Sequence, residues 1–249
     1  MLYEIFLAVI QAATEFFPIS SSGHLALAEI IFKHKPNMLF FLVLHLASLL
    51  AVIIFTRKEI IKLILFDREY RKMWIYLIIA TIPAAIFGYF FSSRIESSFS
   101  SLLFLSFAFI FTGIILLFTK FSSVFSDINW KNSFFIGLFQ VLALFPGVSR
   151  SGMTISSGLF TGLKKEEAAK FSFLLAIPII SGAFLLELIK TPINLPLMYS
   201  WIMPFFVCVI FSLLFLNFLY YIIKKGNFWM FSFYCFLIGI LSFGLYFYY

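Results

Sequence analysis

Charge is what this chain has least of. Asp, Glu, Lys and Arg make up 12% of the 249 residues, against roughly 25% in a soluble domain. Cysteine is nearly missing too. Cys208 and Cys235 both sit inside apolar runs, where a thiol behaves as a small hydrophobe, so no disulfide framework is expected. No metal-ligand spacing is present. The first ten residues have neither a basic stretch nor a small-residue cleavage site, so they are expected to belong to the fold rather than to a removable leader. No nucleic-acid reader motif occurs, and no nucleic-acid partner is expected, because the basic residues lie in segments flanking apolar runs. What is present is apolar: 63% of residues are hydrophobic and the mean hydropathy is +1.07. No soluble domain of this length buries so much apolar surface, which places the chain in a bilayer.

A spanning helix needs about 17–25 apolar residues. Six runs qualify, at 39–56, 73–92, 101–119, 171–189, 201–223 and 228–248. Two further apolar stretches are interrupted at their middles, one by Pro18 and Ser20 to Gly23, the other by Pro146, Gly147 and Ser149 to Gly152. Each reads as two short helices meeting at a polar tip.

The densest basic segment, 57–72, carries Arg57, Lys58, Lys62, Arg68, Arg71 and Lys72 and is assigned to the cytoplasmic side by the positive-inside rule. Counting spans then places Lys120, Lys131, Lys164, Lys165, Lys170, Lys224 and Lys225 inside, with Arg94 in loop 93–100 and Lys190 in loop 190–200 outside. The first hairpin enters from outside and the second from inside. The fold class expected is therefore an all-α integral membrane protein with two inverted-topology repeats, each one re-entrant helix hairpin plus three transmembrane helices. It forms a single domain, with repeat one at about 1–120 and repeat two at about 130–249.

The two tips are also copies of one another. At an offset of 129 residues, Gln140, Phe145, Val148, Ser149, Ser151 and Gly152 fall opposite Gln11, Phe16, Ile19, Ser20, Ser22 and Gly23. Polar groups are costly in hydrocarbon unless they are buried in protein or line a wet cavity, so the paired loops mark a shared site. Each polar run opens a short helix, which aims backbone N–H groups and the positive helix end at one spot suited to an anion. Arg150 adds a planar, permanently charged fork, and the serines with Thr154 add hydroxyl donors. Buried Arg150 requires a negative partner, either Glu15 or the substrate.

Glu15 in an apolar stretch is a candidate for proton transfer or, tentatively, for holding a metal. His24 lies three residues after Ser21, close enough along one helix for an imidazole to approach the serine hydroxyl. His45 within a span is either interhelical glue or a support for the site. Gln11 and Gln140, matched by the repeat, are expected to bond the opposite loop's backbone or the substrate.

The runs Gln11-x-x-x-Glu15-Phe-Phe-Pro-Ile-Ser-Ser-Ser-Gly-His24 and Pro146-Gly-Val-Ser-Arg-Ser-Gly-Met-Thr154 closely resemble the two signatures of bacterial undecaprenyl-pyrophosphate phosphatases of the bacitracin-resistance type. The resemblance extends over the whole chain, through the Phe171–Pro178 run. It implies an enzyme of the bacterial cytoplasmic (inner) membrane that removes the terminal phosphate of a C55 polyprenyl pyrophosphate and recycles the carrier lipid for peptidoglycan. The partners implied are that lipid and the bilayer, with a homodimer as an option.

On this reading Ser21 attacks phosphorus with His24 as base, or His24 itself attacks or activates water. Ser20, Ser22, Gly23, Ser149, Arg150, Ser151, Gly152 and Thr154 bind phosphate. Glu15, with a divalent ion such as magnesium or calcium, orients the groups. The chain departs from the resemblance at Gln11, where glutamate is common, and at Leu42, where an acidic residue often stands. A polyprenyl-phosphate transporter or flippase is the alternative, since broken helices in paired halves also serve transport.

Overall fold

A computed structural model describes residues 2–34, 37–67, 70–190 and 199–248. Arg68 of the basic segment and positions 191–198 of the 190–200 loop lie outside the described residues. All regular elements among those described are helices: α1 (Leu2–Phe16), α2 (Ser21–Phe32), α3 (Met38–Phe55), α4 (Arg57–Ile64), α5 (Met73–Ser98), α6 (Leu102–Phe118), α7 (Trp130–Leu142), α8 (Arg150–Phe160), α9 (Lys165–Lys190), α10 (Ile202–Lys224) and α11 (Phe231–Tyr246). Single 3-10 turns, Thr119–Phe121 and Phe228–Met230, follow α6 and precede α11.

Five helices, α5, α6, α9, α10 and α11, are long and apolar enough to cross a membrane among the described residues, and α3 with α4 makes a sixth that bends by 75° at its break. These coincide with the six apolar runs. The bend occurs where the sequence changes from Ile53-Ile54-Phe55 to Arg57-Lys58-Glu59, so the apolar run ends where α4 turns aside. Helix α5 continues past its apolar run to Ser98, with a non-helical step at Phe91 (φ −114°, ψ 16°). Large apolar side chains such as Ile78, Ile82, Phe206, Ile210, Leu237 and Ile240 are exposed, as a lipid-facing surface requires. Several hydroxyls on the spans are satisfied within their own helix, as where Ser106 donates to the Leu102 carbonyl and Ser242 to that of Ile238, each at 2.7 Å.

The two interrupted stretches form α1–α2 and α7–α8. At about 1.5 Å per residue, these helices of 11 to 15 residues are each about 17–23 Å long, short of a bilayer core of roughly 30 Å. Helix α1 packs along α10 and α7 along α5, while α3 meets both α9 and α10, and α6 pairs with α11.

Both tips are capped alike. The Ser20 hydroxyl accepts from Gly23 N at 3.3 Å and the Ser149 hydroxyl from Gly152 N at 3.1 Å, the side-chain cap that frees a helix start from an orphan donor. Residues 129 positions apart in the sequence thus make the same local bond.

The tips touch. Ser20 Oγ also accepts from Gly147 N at 3.1 Å, and Ser151 donates to the Phe17 carbonyl at 3.4 Å. A Cβ on Gly23 would stand 2.8 Å from Gly147 Cα, so only glycine permits this approach. Turning the chain into the contact puts Ser20 at φ 68° and Gly147 at φ 89°, a left-handed conformation that is costly for serine. Thr112 of α6 braces the second tip, donating to the Gly147 carbonyl at 3.0 Å and accepting from Ser149 N at 3.3 Å.

A second close approach fixes the α5–α7 crossing, where a Cβ on Gly137 would lie 2.7 Å from the Ala80 carbonyl oxygen. Overpacking of this kind costs about 1–3 kcal/mol. Gly137→Val is therefore expected to lower the thermal unfolding midpoint in detergent by several degrees. Gly182→Val, at a position with nothing within 4 Å, is expected to leave it in place; equal midpoints would contradict the crossing described.

Candidate active site

A cavity of about 320 Å³ opens beside the two tips. Of the residues expected at a site, Glu15, Ser20, Ser21, Ser22, His45, Ser149 and Arg150 line it, together with apolar Phe41, Leu42, Phe99, Leu144, Ile179 and Ile180. The lining comes from α1, the starts of α2 and α8, the first half of α3, the end of α5 and the second half of α9. Ile95, Ala143, Val148 and Ala183 add to the apolar part of the lining, so the cavity offers a charged end and an apolar wall.

Glu15 is the hub. It ends the buried face of α1 at 7% exposure, where an unpaired carboxylate would cost several kcal/mol. Its Oε1 accepts from the Arg150 guanidinium at 2.7 Å. Its Oε2 accepts from the Ser21 hydroxyl at 2.6 Å and from the Gln11 amide at 3.0 Å, with His45 Nε2 at 3.4 Å. Glu15 therefore belongs to the first hairpin and Arg150 to the second, and the short ion pair joins them.

Arg150 is held along its length: it donates to the Ser172 carbonyl of α9 at 3.4 Å, and Thr154 donates to the Arg150 carbonyl at 2.8 Å. Thr154 also shares a 2.7 Å hydrogen bond with Ser172 Oγ. His45 keeps its ring in place with Nδ1 at 2.7 Å from the Phe41 carbonyl. With an acceptor at each ring nitrogen, its Nε2 side is left to face Glu15 and the cavity.

Not every expected residue reaches the cavity. His24 does not approach Ser21, although their spacing suggested it. Its Nδ1 lies 2.7 Å from the Ser20 carbonyl and its Nε2 2.9 Å from the Tyr234 hydroxyl of α11, with the two rings stacked at 5.6 Å. Three residues along a helix is one turn less about 60°, enough to send the imidazole toward α11 and α6 instead of toward the carboxylate.

Thr154, Ser151 and Gly152 are buried behind the tip rather than facing the cavity, and Gly23 serves the contact between tips. Gln11 supports Glu15. Gln140 donates to the Ala80 carbonyl of α5 at 3.2 Å, which is neither the opposite loop nor the cavity.

Sequence reasoning missed Glu96, which lines the cavity from the end of α5, and Thr112 and Ser172, which brace Arg150 and its tip. Glu96 lies beyond the apolar run, where a carboxylate looks like ordinary solvated surface. Thr112 and Ser172 are single hydroxyls in apolar spans, a pattern the chain repeats elsewhere for simple helix back-bonding.

Glu15 and Arg150 form a buried pair, in which removing one partner strands the other charge at a cost of about 3–5 kcal/mol. Glu15→Gln and Arg150→Gln are each expected to lower the unfolding midpoint in detergent, and the double variant is expected to recover a large part of the loss. Additive losses would show that the two groups are not coupled.

Residues 4–241 match the family model described as bacitracin resistance protein BacA. The chain is 45% identical to an undecaprenyl-diphosphatase of Thermosipho africanus (strain TCF52B), over 96% of this chain and 98% of the relative. It is 39% identical to a protein of that name from Methanococcus vannielii, over 95% and 96% of the two chains, and 38% identical to one from Thermotoga petrophila, over 96% and 98%. The cavity residues Glu15, Ser21 and Arg150 all fall within the matched segment, and the chain belongs to the bacitracin resistance protein BacA family.

Proposed function

We propose that this protein is an undecaprenyl-diphosphatase of the cytoplasmic membrane, which hydrolyses undecaprenyl pyrophosphate to undecaprenyl phosphate and inorganic phosphate. The carrier lipid returns to peptidoglycan synthesis, and its continued recycling underlies bacitracin resistance. The observation that carries this reading is the Ser21 hydroxyl, 2.6 Å from a buried carboxylate that also holds Arg150 at 2.7 Å. A carrier needs an anion clamp; a hydroxyl donating to a base goes further, to a nucleophile.

In the proposed reaction the pyrophosphate enters the charged end of the cavity, and the prenyl chain leaves along the Phe41, Leu42 and Ile180 wall. Ser21 Oγ attacks the terminal phosphorus and its proton passes to Glu15 Oε2. The bond from that phosphorus to the bridging oxygen breaks, and undecaprenyl phosphate departs. Water then cleaves the serine phosphoester, releasing inorganic phosphate and restoring Ser21.

Arg150 and the first N–H groups of α2 and α8 stabilise charge on the transferring phosphoryl group, which is most of what such a transfer requires. His45 orients Glu15 from α3, at the same oxygen, Oε2, to which Ser21 donates. His24 acts at a distance, fixing the strained Ser20 turn through its bond to the Ser20 carbonyl.

The donor set does not fit a metal at Glu15. Both carboxylate oxygens are already bonded to protein donors, one of them a guanidinium, and no group of three His, Cys, Asp or Glu side chains is gathered among the described residues. Magnesium or calcium is proposed instead to arrive as the counter-ion of the pyrophosphate oxygens.

The two halves are proposed to be inverted repeats. What supports this is the reciprocal packing, α1 on α10 and α7 on α5, with α3 against α9 and α6 against α11 across the pseudo-axis. With 57–72 on the cytoplasmic side, the cavity opens outward, since it is lined by the start of α3 and the ends of α5 and α9.

Phosphate release from C55 pyrophosphate by the purified protein tests the activity. Ser21→Ala and Arg150→Ala are each expected to lose at least about a hundredfold, and His24→Ala and Tyr234→Phe to show similar, smaller losses. Total loss with His24→Ala beside full activity of Tyr234→Phe would restore His24 as the base; full turnover in Ser21→Ala would end the serine mechanism. Cysteines placed at Ser97 and Lys164 are expected to label from opposite sides of the membrane, the native pair being buried. Labelling from one side would overturn the inverted topology.

A further inference from the structure

A second cavity, of about 350 Å³, lies at the opposite end of α3, between the α3–α4 bend, the start of α9 and the latter half of α10. Three cations, Arg57, Lys58 and Lys170, line it, against one carboxylate, Glu59. Lys170 pairs with that carboxylate at 2.9 Å, and the lining holds no second one for Arg57 and Lys58. Both are exposed.

Asn217 completes the polar side. It is exposed on a span that is apolar along nearly its whole length, and its amide donates to the Leu213 carbonyl at 2.7 Å. A polar side chain on a lipid-facing surface is costly unless it has a ligand or water. The lining also has apolar members, Ile54, Phe55 and Leu213. Helix α4 fixes the depth. It turns 75° away from α3, with Ile61, Ile64 and Leu65 exposed on it beside Arg57, Lys58 and Lys62, the pattern of a short helix lying in the interface.

We infer that this cavity binds the phosphate headgroup of an anionic lipid from the leaflet on which α4 lies. Arg57 and Lys58 meet the phosphate, Asn217 meets its ester oxygens, and the lipid chain runs down past Ile54 and Leu213. Guanidinium and ammonium groups in an interhelical pocket at headgroup depth suit a phosphate. Thr56 and Glu59 also line the cavity, but Thr56 donates to the Val52 carbonyl at 2.8 Å and Glu59 is taken by Lys170, so they are not coupled as Ser21 and Glu15 are and the cavity binds without reacting. The chemistry is shared by a bulk phospholipid and by a prenyl monophosphate, and the test separates them.

Native mass spectrometry of the whole protein in a neutral detergent would count retained lipid on titration with phosphatidylglycerol, with a polyprenyl monophosphate, and with a diacylglycerol that lacks phosphate. Beyond any prenyl monophosphate held as product in the Ser21 cavity, one saturable site for a phosphate-bearing lipid that depends on Arg57 and Lys58, and none for diacylglycerol, is expected, the tighter of the two phosphate lipids at that site identifying the source. Arg57→Gln/Lys58→Gln is expected to weaken it about tenfold or more, while Lys120→Gln/Lys131→Gln, on other basic segments, leaves it unchanged. Equal weakening in both doubles would mean diffuse surface charge and overturn the site, as would no weakening in the first. Phosphate release by the first double is expected to match the parent, so the lipid count stands or falls apart from the reaction at Ser21.

Discussion

The ion pair between Glu15 and Arg150 is the contact on which the rest of the site depends. Each charge would be prohibitive alone in a bilayer interior, and each sits on a helix too short to span it. Joined at 2.7 Å, they hold two separate hairpins tip to tip. Because the pair lines a cavity instead of being sealed, the same guanidinium can address an entering anion while Glu15 keeps Ser21, Gln11 and His45 in place. The polar network thus stabilises the fold and prepares the chemistry with one set of groups.

Close backbone approach makes the pair reachable. Gly23 against Gly147, and Gly137 against the Ala80 carbonyl, let helices meet without a side chain between them. In lipid, where apolar side chains gain little by leaving the solvent, such packing with hydrogen bonds carries much of the association. The left-handed turn at Ser20 is the cost of bringing that hydroxyl to both Gly23 N and Gly147 N, and it is the kind of local strain that functional loops retain.

The two cavities at the ends of α3 divide their chemistry by composition. The one at the tips gathers a carboxylate, hydroxyls, an imidazole and an arginine around an apolar wall. The one at the α4 bend gathers cations and an amide around a similar wall. Both suit an amphiphile that lies with its head in a polar pocket and its chain among helices, which is how a membrane protein reaches a lipid without extracting it.

Spans, hairpins and the polar tips were legible in the sequence because hydrocarbon imposes a one-dimensional rule: long apolar runs cross, and prolines with serines in mid-run cannot. The 129-residue offset likewise pairs Ser20 with Ser149, which cap their helices in the same way. Which side chains meet could not be read that way. Glu15 and Arg150 are 135 positions apart, and His24 was drawn to Ser21 by spacing although its helix face turns it to Tyr234. Glu96, Thr112 and Ser172 carry no local pattern that separates them from solvated or back-bonded neighbours. The sequence by itself determined the membrane class and where the chain breaks, since burial of apolar length is additive along the chain. Only the tertiary structure decided which groups share the cavity, because helix rotation and a glycine approach too close to admit a Cβ set direction, and neither is written in any single segment.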